Sequence, residues 1–195
     1  MTQKNLFINF RIVPLLMALF VAGCSASPAT PDYTNQMMDF SAVRSVAVLP
    51  LQNLSEYEEA DERVRDAFMG MLLATEAIYV LPPGEVARGI NRVGLNSYHS
   101  PMVEEVVELG KVLEVDAVIT GVLREYGPVR SGAAEANMVS LSLNMLETQR
   151  GTTVWSASST KGGITLADRM LGSGGKPMND VTTQVIDDLL DQLFE

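Results

Sequence analysis

Two short apolar runs on either side of a helix-like segment restrict the fold of this chain more than any other feature. Residues 46–49 read Val-Ala-Val-Leu and residues 78–81 read Ile-Tyr-Val-Leu, which is typical of strands buried in a sheet. The segment between them carries apolar side chains at helical spacing, namely Ala60, Val64, Ala67, Phe68, Met71 and Leu72. Strand, helix and strand in this order predict a right-handed parallel crossover.

The rest of the chain shows further strand-like and helix-like patterns. We predict further strands at residues 116–126, 138–147 and 154–160, and helices at residues 84–93, 100–113 and 181–194. In the strand 138–147, apolar residues alternate with Ser140, Ser142 and Asn144, which indicates an antiparallel strand with one wet face. The predicted fold is therefore a single α/β domain (α+β mixed), with a mixed sheet of about five strands and helices packed on it.

Two helix starts carry recognisable capping signals. Ser55 is followed three residues later by Glu58, the spacing of a capping box for the first helix. Ser100 precedes Pro101, which predicts a cap followed by proline at the first helical position. The helix after Pro101 is expected to bury a stripe made of Val103, Val106, Val107, Gly110 and Leu113.

The N-terminal segment has the features of a cleaved secretory signal. Lys4 and Arg11 accompany an apolar run at residues 12–20, which is shorter than the roughly 20 residues that a spanning helix needs. Next come Val-Ala-Gly at residues 21–23 and then Cys24, the only cysteine of the sequence. This ending resembles the lipobox of bacterial lipoproteins.

The lipobox resemblance implies a lipid anchor. In that family the signal is cut before the cysteine, whose sulfur takes a diacylglyceryl group and whose amine is acylated, commonly with palmitate. Cys24 is thus the predicted lipid-attachment residue. The family's sorting rule keeps proteins with Asp after the cysteine at the inner membrane, so Ser25 implies the outer membrane in a Gram-negative source. The predicted location is the periplasmic face of that membrane.

The predicted domain organisation is a signal peptide at residues 1–23, a lipidated flexible tether at residues 24–39, and one periplasmic α/β domain at residues 40–195. Cleavage would leave 172 of the 195 residues and change the formal net charge from −10 to −12. Such an acidic chain is a poor partner for nucleic acid and for anionic lipid. With Cys24 lipidated, no thiol remains for a disulfide, so the core must stabilise the domain by itself.

Three stretches of the predicted domain resemble a known group. They read VAVLPLQNLS at residues 46–55, VDAVITGVL at residues 115–123 and GTTVWSASS at residues 151–159. They are similar to the curli-secretion lipoprotein family (CsgG), and equally to the smaller α/β lipoproteins related to PelC and to the N-terminal domain of TolB. The resemblance implies a mixed-sheet α/β domain that often assembles into rings in envelope export machines.

A membrane channel is not part of this expectation. A pore-forming relative needs hairpins whose strands each have about 9–11 residues. The available connections, residues 127–137 and 149–153, are too short to supply two such strands. The resemblance therefore concerns the fold and the anchor.

No catalytic, cofactor or metal site is predicted. His99 is the only histidine, and a catalytic or metal role would need companions that the chain lacks. The stretch 172–176 differs from a P-loop, because Met170 and Pro177 stand where Gly and Ser or Thr are required. Asp187, Asp188 and Asp191 are interpreted as a solvated helix face, and Trp155 as a core residue.

The sequence predicts a non-enzymatic envelope lipoprotein, a scaffold or assembly subunit of an export or surface-structure machine. Its partners would be the membrane, through the anchor, other envelope proteins and further copies of itself. The alternative is a lipoprotein that regulates a cell-wall (peptidoglycan) synthase. Phe40 with Met37 and Met38 would dock either on the edge of the domain or on a neighbouring subunit. The glycine-rich loop at residues 162–180 would either form a contact or fold back over the sheet with its apolar residues Ile164, Leu166, Met170 and Leu171.

Overall fold

The computed structural model describes residues 32–35, 40–132, 134–164 and 175–194. The strands are β1 (Tyr33–Thr34), β2 (Ser45–Val48), β3 (Gln52–Asn53), β4 (Tyr79–Val80), β5 (Ala117–Ser131), β6 (Ala134–Glu147) and β7 (Thr153–Gly162). The helices are α1 (Ala60–Ala74), α2 (Pro83–Val93), α3 (Val103–Leu113) and α4 (Met178–Phe194), and Phe40–Ala42 forms a short 3₁₀ turn.

All described strands belong to one sheet with the order β1-β7-β6-β5-β2-β4, and β3 pairs with β5 beside β2. The strand β2 runs parallel to β4 and β5, with Val46 opposite both Val80 and Ala117. The pairs β5–β6 and β6–β7 are antiparallel, as their short connections require. The predicted α/β class with a mixed sheet is confirmed.

The five predicted strands are present as β2, β4, β5, β6 and β7, and the described residues add β1 and β3. Each added strand has only two residues, too few to show a period in the sequence.

The helix α1 begins later than its predicted capping box. The hydroxyl of Ser55 donates to Oδ1 of Asn53 at 2.7 Å, and the Asn53 amide donates to the carbonyl of Tyr57 at 2.8 Å. These local hydrogen bonds hold residues 53–57 in a turn in place of a helix. The helix therefore begins at Ala60, after Glu59 in a left-handed conformation. The Ser55–Glu58 capping box is therefore wrong.

The start of α3 also differs from the prediction. The helix begins at Val103, two residues after Pro101, and Ser100 does not cap it. Instead the carboxylate of Glu105 accepts the backbone N–H of Met102 at 2.8 Å. This bond, helped by Asn96, lowers the pKa of Glu105.

The sheet has an apolar cluster on each face. One cluster joins Val46 and Val48 to α1 and α4, and Phe68, Trp155 and Ile186 lie in it with 1% exposure or less. The other joins Ala47, Leu49 and Val118 to α2 and α3. The sheet is therefore covered by a pair of helices on each side.

The predicted apolar stripe of α3 is wrong at Val103, and it omits Leu109. Val106 and Gly110 are buried as expected, but Val103 is 50% exposed and Leu109 is fully buried. Val103 lies at the first position of the helix, against the β6–β7 turn at Gly151, which explains why the core does not enclose it.

Residues 127–137, predicted as a connection, are mostly strand. The pairing of β5 with β6 runs from Ala117 opposite Glu147 to Ser131 opposite Ala134. Gly127 and Pro128 are the reason why the sequence does not predict this extension of the strands, because both residues are rare in strand interiors. The register of β7 ends at Gly162 opposite Met138, so the hairpin of β5 and β6 continues past the end of β7, with residues 128–131 in one arm.

The predicted tether is not wholly free of the domain. Tyr33 and Thr34 form β1 and pair with Ser156 and Trp155 of β7. The prediction of flexibility over residues 24–39 is wrong at these two residues, because the edge of β7 offers them backbone partners. Residues 24–31 and 36–39 lie outside the described residues. Among the described helices, none is long and apolar enough to cross a membrane.

Candidate interaction surface

Several predicted contact residues lie outside the part of the chain that the structure describes. These are the lipid-attachment residue Cys24, then Met37 and Met38, and in the glycine-rich loop Leu166, Met170 and Leu171. Ile164 is described and is partly buried, and Phe40 packs against the core cluster of α1 and α4. The predictions for the other residues stay open.

His99 lies in the loop before α3, with its ring 6.5 Å from the ring of Tyr98. Among the described residues, no group of three or more His, Cys, Asp or Glu side chains is placed to hold a metal ion.

Trp155 is 1% exposed, as expected for a core residue, and its indole also fixes the end of α4. The indole N–H donates to the carbonyl of Gln192 at 3.2 Å. The last turn of α4 is thereby held against the sheet by a side chain from β7.

The three aspartates of α4 do not share one environment. Asp187 and Asp191 are exposed, as predicted. Asp188 instead accepts a hydrogen bond from Nζ of Lys161 on β7 at 2.6 Å. Partial burial acts to raise the pKa of Asp188, but hydrogen bonding by Lys161, with its charge, prevails and lowers the pKa. The predicted solvated face is therefore wrong for Asp188, which joins α4 to the sheet.

A first surface depression lies where α1 and α4 end side by side. Its volume is about 530 Å³. It is lined by Met71, Ala74, Thr75, Asp187, Leu190, Asp191 and Phe194. These residues come from the last turns of both helices, so both helix C-termini meet at the same depression.

A second depression, of about 820 Å³, adjoins the first and shares Phe194 with it. It lies under the end of the sheet and is lined by Thr34, Phe40, Val43, Arg44, Glu76, Ala77, Ile78, Tyr79, Met145, Gln192, Leu193 and Phe194. We call the lining residues of both depressions the Phe194 surface. Phe194 is 46% exposed and Tyr79 is 58% exposed. Large apolar side chains that gather in this way mark interaction sites more often than isolated ones do.

The Phe194 surface is acidic at its rim. Among the described residues that line it, the charged ones are the acidic Asp187, Asp191 and Glu76 and the basic Arg44. The helices α1 and α4 each end here without a basic residue in the last turn. The partial negative charge of each helix C-terminus is therefore left without a cationic side chain from its own helix.

The sequence alone does not reveal this surface. The helix at residues 181–194 was predicted, and so was its apolar stripe, but a stripe shows which face is buried and says nothing about what the helix end meets. The available signal was the lack of Lys or Arg in the last turns of α1 and α4. That signal becomes informative only once the two ends are known to be neighbours.

The fold is shared with solved bacterial proteins at low sequence identity. The lipoprotein GNA1162 from Neisseria meningitidis is 18% identical, with a TM-score of 0.56 over 77% of this chain and 97% of that one. A PelC dodecamer from Paraburkholderia phytofirmans is 15% identical, with a TM-score of 0.55 over 83% and 96%. The hypothetical protein CT253 from Chlamydia trachomatis is 13% identical, with a TM-score of 0.52 over 78% and 96%.

These likenesses concern the fold alone. The similarity to PelC expected from the sequence is confirmed at that level, whereas the resemblance to the curli-secretion family and to TolB stays a prediction. The chain matches no protein-family model and no curated protein sequence.

Proposed function

We propose that this chain is a lipid-anchored envelope protein that acts by binding other proteins through the Phe194 surface and catalyses no reaction. In this proposal Cys24 carries the lipid and holds the domain at the periplasmic face of the outer membrane. The domain serves as a scaffold or assembly subunit of an export or surface-structure machine.

The observation that carries the proposal is the Phe194 surface itself. Two adjoining depressions, together larger than many ligand sites, are lined by exposed aromatic and apolar side chains. Both are open, and apolar side chains line them beside a few charged ones, as in an interface with an apolar core and a polar rim. Self-assembly is supported separately by the fold, which this chain shares with a protein solved as a dodecamer. The solved lipoprotein with the same fold supports a role in the envelope.

Native electrophoresis of gentle detergent extracts tests this function. The wild-type chain is expected to migrate in a complex, and Phe194→Asp is expected to release it, because a carboxylate in the depression loses its hydration when a partner covers it. The melting temperature should stay within a few degrees, because Phe194 is 46% exposed.

Arg88→Asp is the matched control. Arg88 has a side chain that is 79% exposed and lies on α2, across the sheet from the Phe194 surface, so the complex should persist in this variant. A wild-type chain that migrates as a monomer would reject the role as an assembly subunit. It would favour the alternative, a regulator that touches a cell-wall synthase only transiently.

A further inference from the structure

We propose that the Phe194 surface selects its partner by charge: it binds a segment of another protein that presents an apolar side chain beside a lysine or arginine. This inference deepens the proposed function and rests on it. It names the chemistry of the partner, which a contact surface alone does not define.

The apolar half of the recognition comes from the depression between the helix ends. Leu190 forms part of its floor with 7% exposure, and Phe194 stands at its rim with 46% exposure. Met71 supplies a flexible thioether that adapts to the shape of an entering side chain. A leucine-sized group placed here would cover the exposed part of the Phe194 ring and remove apolar area from water.

The attraction for a cation comes from two independent sources of negative charge at the same place. Asp187 and Asp191 line the depression, and neither forms an ion pair with any described residue. The C-termini of α1 and α4 add their partial negative charges, and neither helix has a basic residue in its last turn. A cation beside the apolar side chain would meet both sources at once.

The same charges disfavour other occupants. A second copy placed here across a two-fold axis would bring Asp187 and Asp191 against their own counterparts, which costs free energy. An anionic lipid surface would be repelled in the same way. The partner that fits is a basic and apolar segment of a different protein.

Two matched peptides test this selection on the whole mature chain, residues 24–195, with Cys24→Ser to omit the lipid. Both peptides lack tryptophan and share their leucine positions; one carries lysines beside the leucines and the other carries glutamates. Trp155 is the only tryptophan and bonds to Gln192, which lines the second depression, so its fluorescence reports binding locally. We expect saturable binding of the lysine peptide, no binding of the glutamate peptide, and weaker binding at high salt.

Variants that neutralise particular carboxylates show where the peptide binds. The double variant Asp187→Asn, Asp191→Asn should weaken binding of the lysine peptide by about five- to tenfold, the size expected for two exposed ion pairs. Glu108→Gln is the control, because it removes a charge from α3 on the opposite face of the sheet and should leave the affinity unchanged.

Equal binding of the two peptides would overturn the inference, as would no binding of either. The same holds if Glu108→Gln weakens binding as much as the double variant does, since the attraction would then belong to the whole acidic chain. None of these outcomes bears on the proposed function. That function is rejected if the wild-type chain forms no native complex, and the Phe194→Asp test of that complex needs no particular charge on the partner.

Discussion

Replacing Phe68 by alanine should lower the free energy of unfolding by about 3–5 kcal/mol, the range for truncating a buried phenylalanine. Phe68 is 1% exposed and lies in the cluster that α1 and α4 form against the sheet. Close packing prevents the surrounding side chains from filling the space, so the variant loses both the transfer free energy and the contacts. Urea denaturation of the mature chain with Cys24→Ser measures the difference.

Leu73→Ala on the same helix is the matched control. Leu73 is 54% exposed, so its truncation should change the free energy of unfolding by no more than about 0.5 kcal/mol. A loss below about 1 kcal/mol for Phe68→Ala would show that the first helix does not pack as described.

Replacing Cys24 by alanine should move the protein from the membrane fraction to the soluble fraction. Two or more acyl chains hold a protein stably on a membrane, and the variant has no site for any. Mass spectrometry of the wild-type membrane fraction should find the acyl chains on Cys24. Ser25→Ala keeps the cysteine and should stay with the membrane. A Cys24→Ala protein that remains wholly in the membrane fraction would contradict the anchor.

The sequence was informative wherever a segment carried a sustained period or a buried run. The strand at residues 46–49, the helix around Phe68 and the alternating strand at residues 138–147 were all predicted, because burial on one or both faces imposes a pattern on the side chains. Local hydrogen bonds were not predictable in the same way. Ser55 and Ser100 occupy plausible cap positions in the sequence. In the structure the Ser55 hydroxyl donates to the side chain of Asn53 instead, and Glu105 caps α3 by accepting the backbone N–H of Met102.

The candidate site was less accessible to sequence reasoning than the fold. The Phe194 surface combines the ends of α1 and α4, the edge strand β4 and the chain near Phe40, which are far apart in sequence. Lys161 and Asp188 illustrate the same difficulty, because their 2.6 Å contact depends on how α4 crosses β7. Each of these juxtapositions is set by tertiary packing, which a periodic pattern in one segment does not report.

Photo-crosslinking in the envelope tests the central claim most directly, that the chain works through protein contacts at the Phe194 surface. A photoreactive residue is placed at Phe194 in the lipidated chain, and in a second variant at Arg88 on the opposite face. Irradiation of intact cells should give a discrete heavier adduct from position 194 and none from position 88. No adduct from position 194, or the same adducts from both positions, would contradict the account.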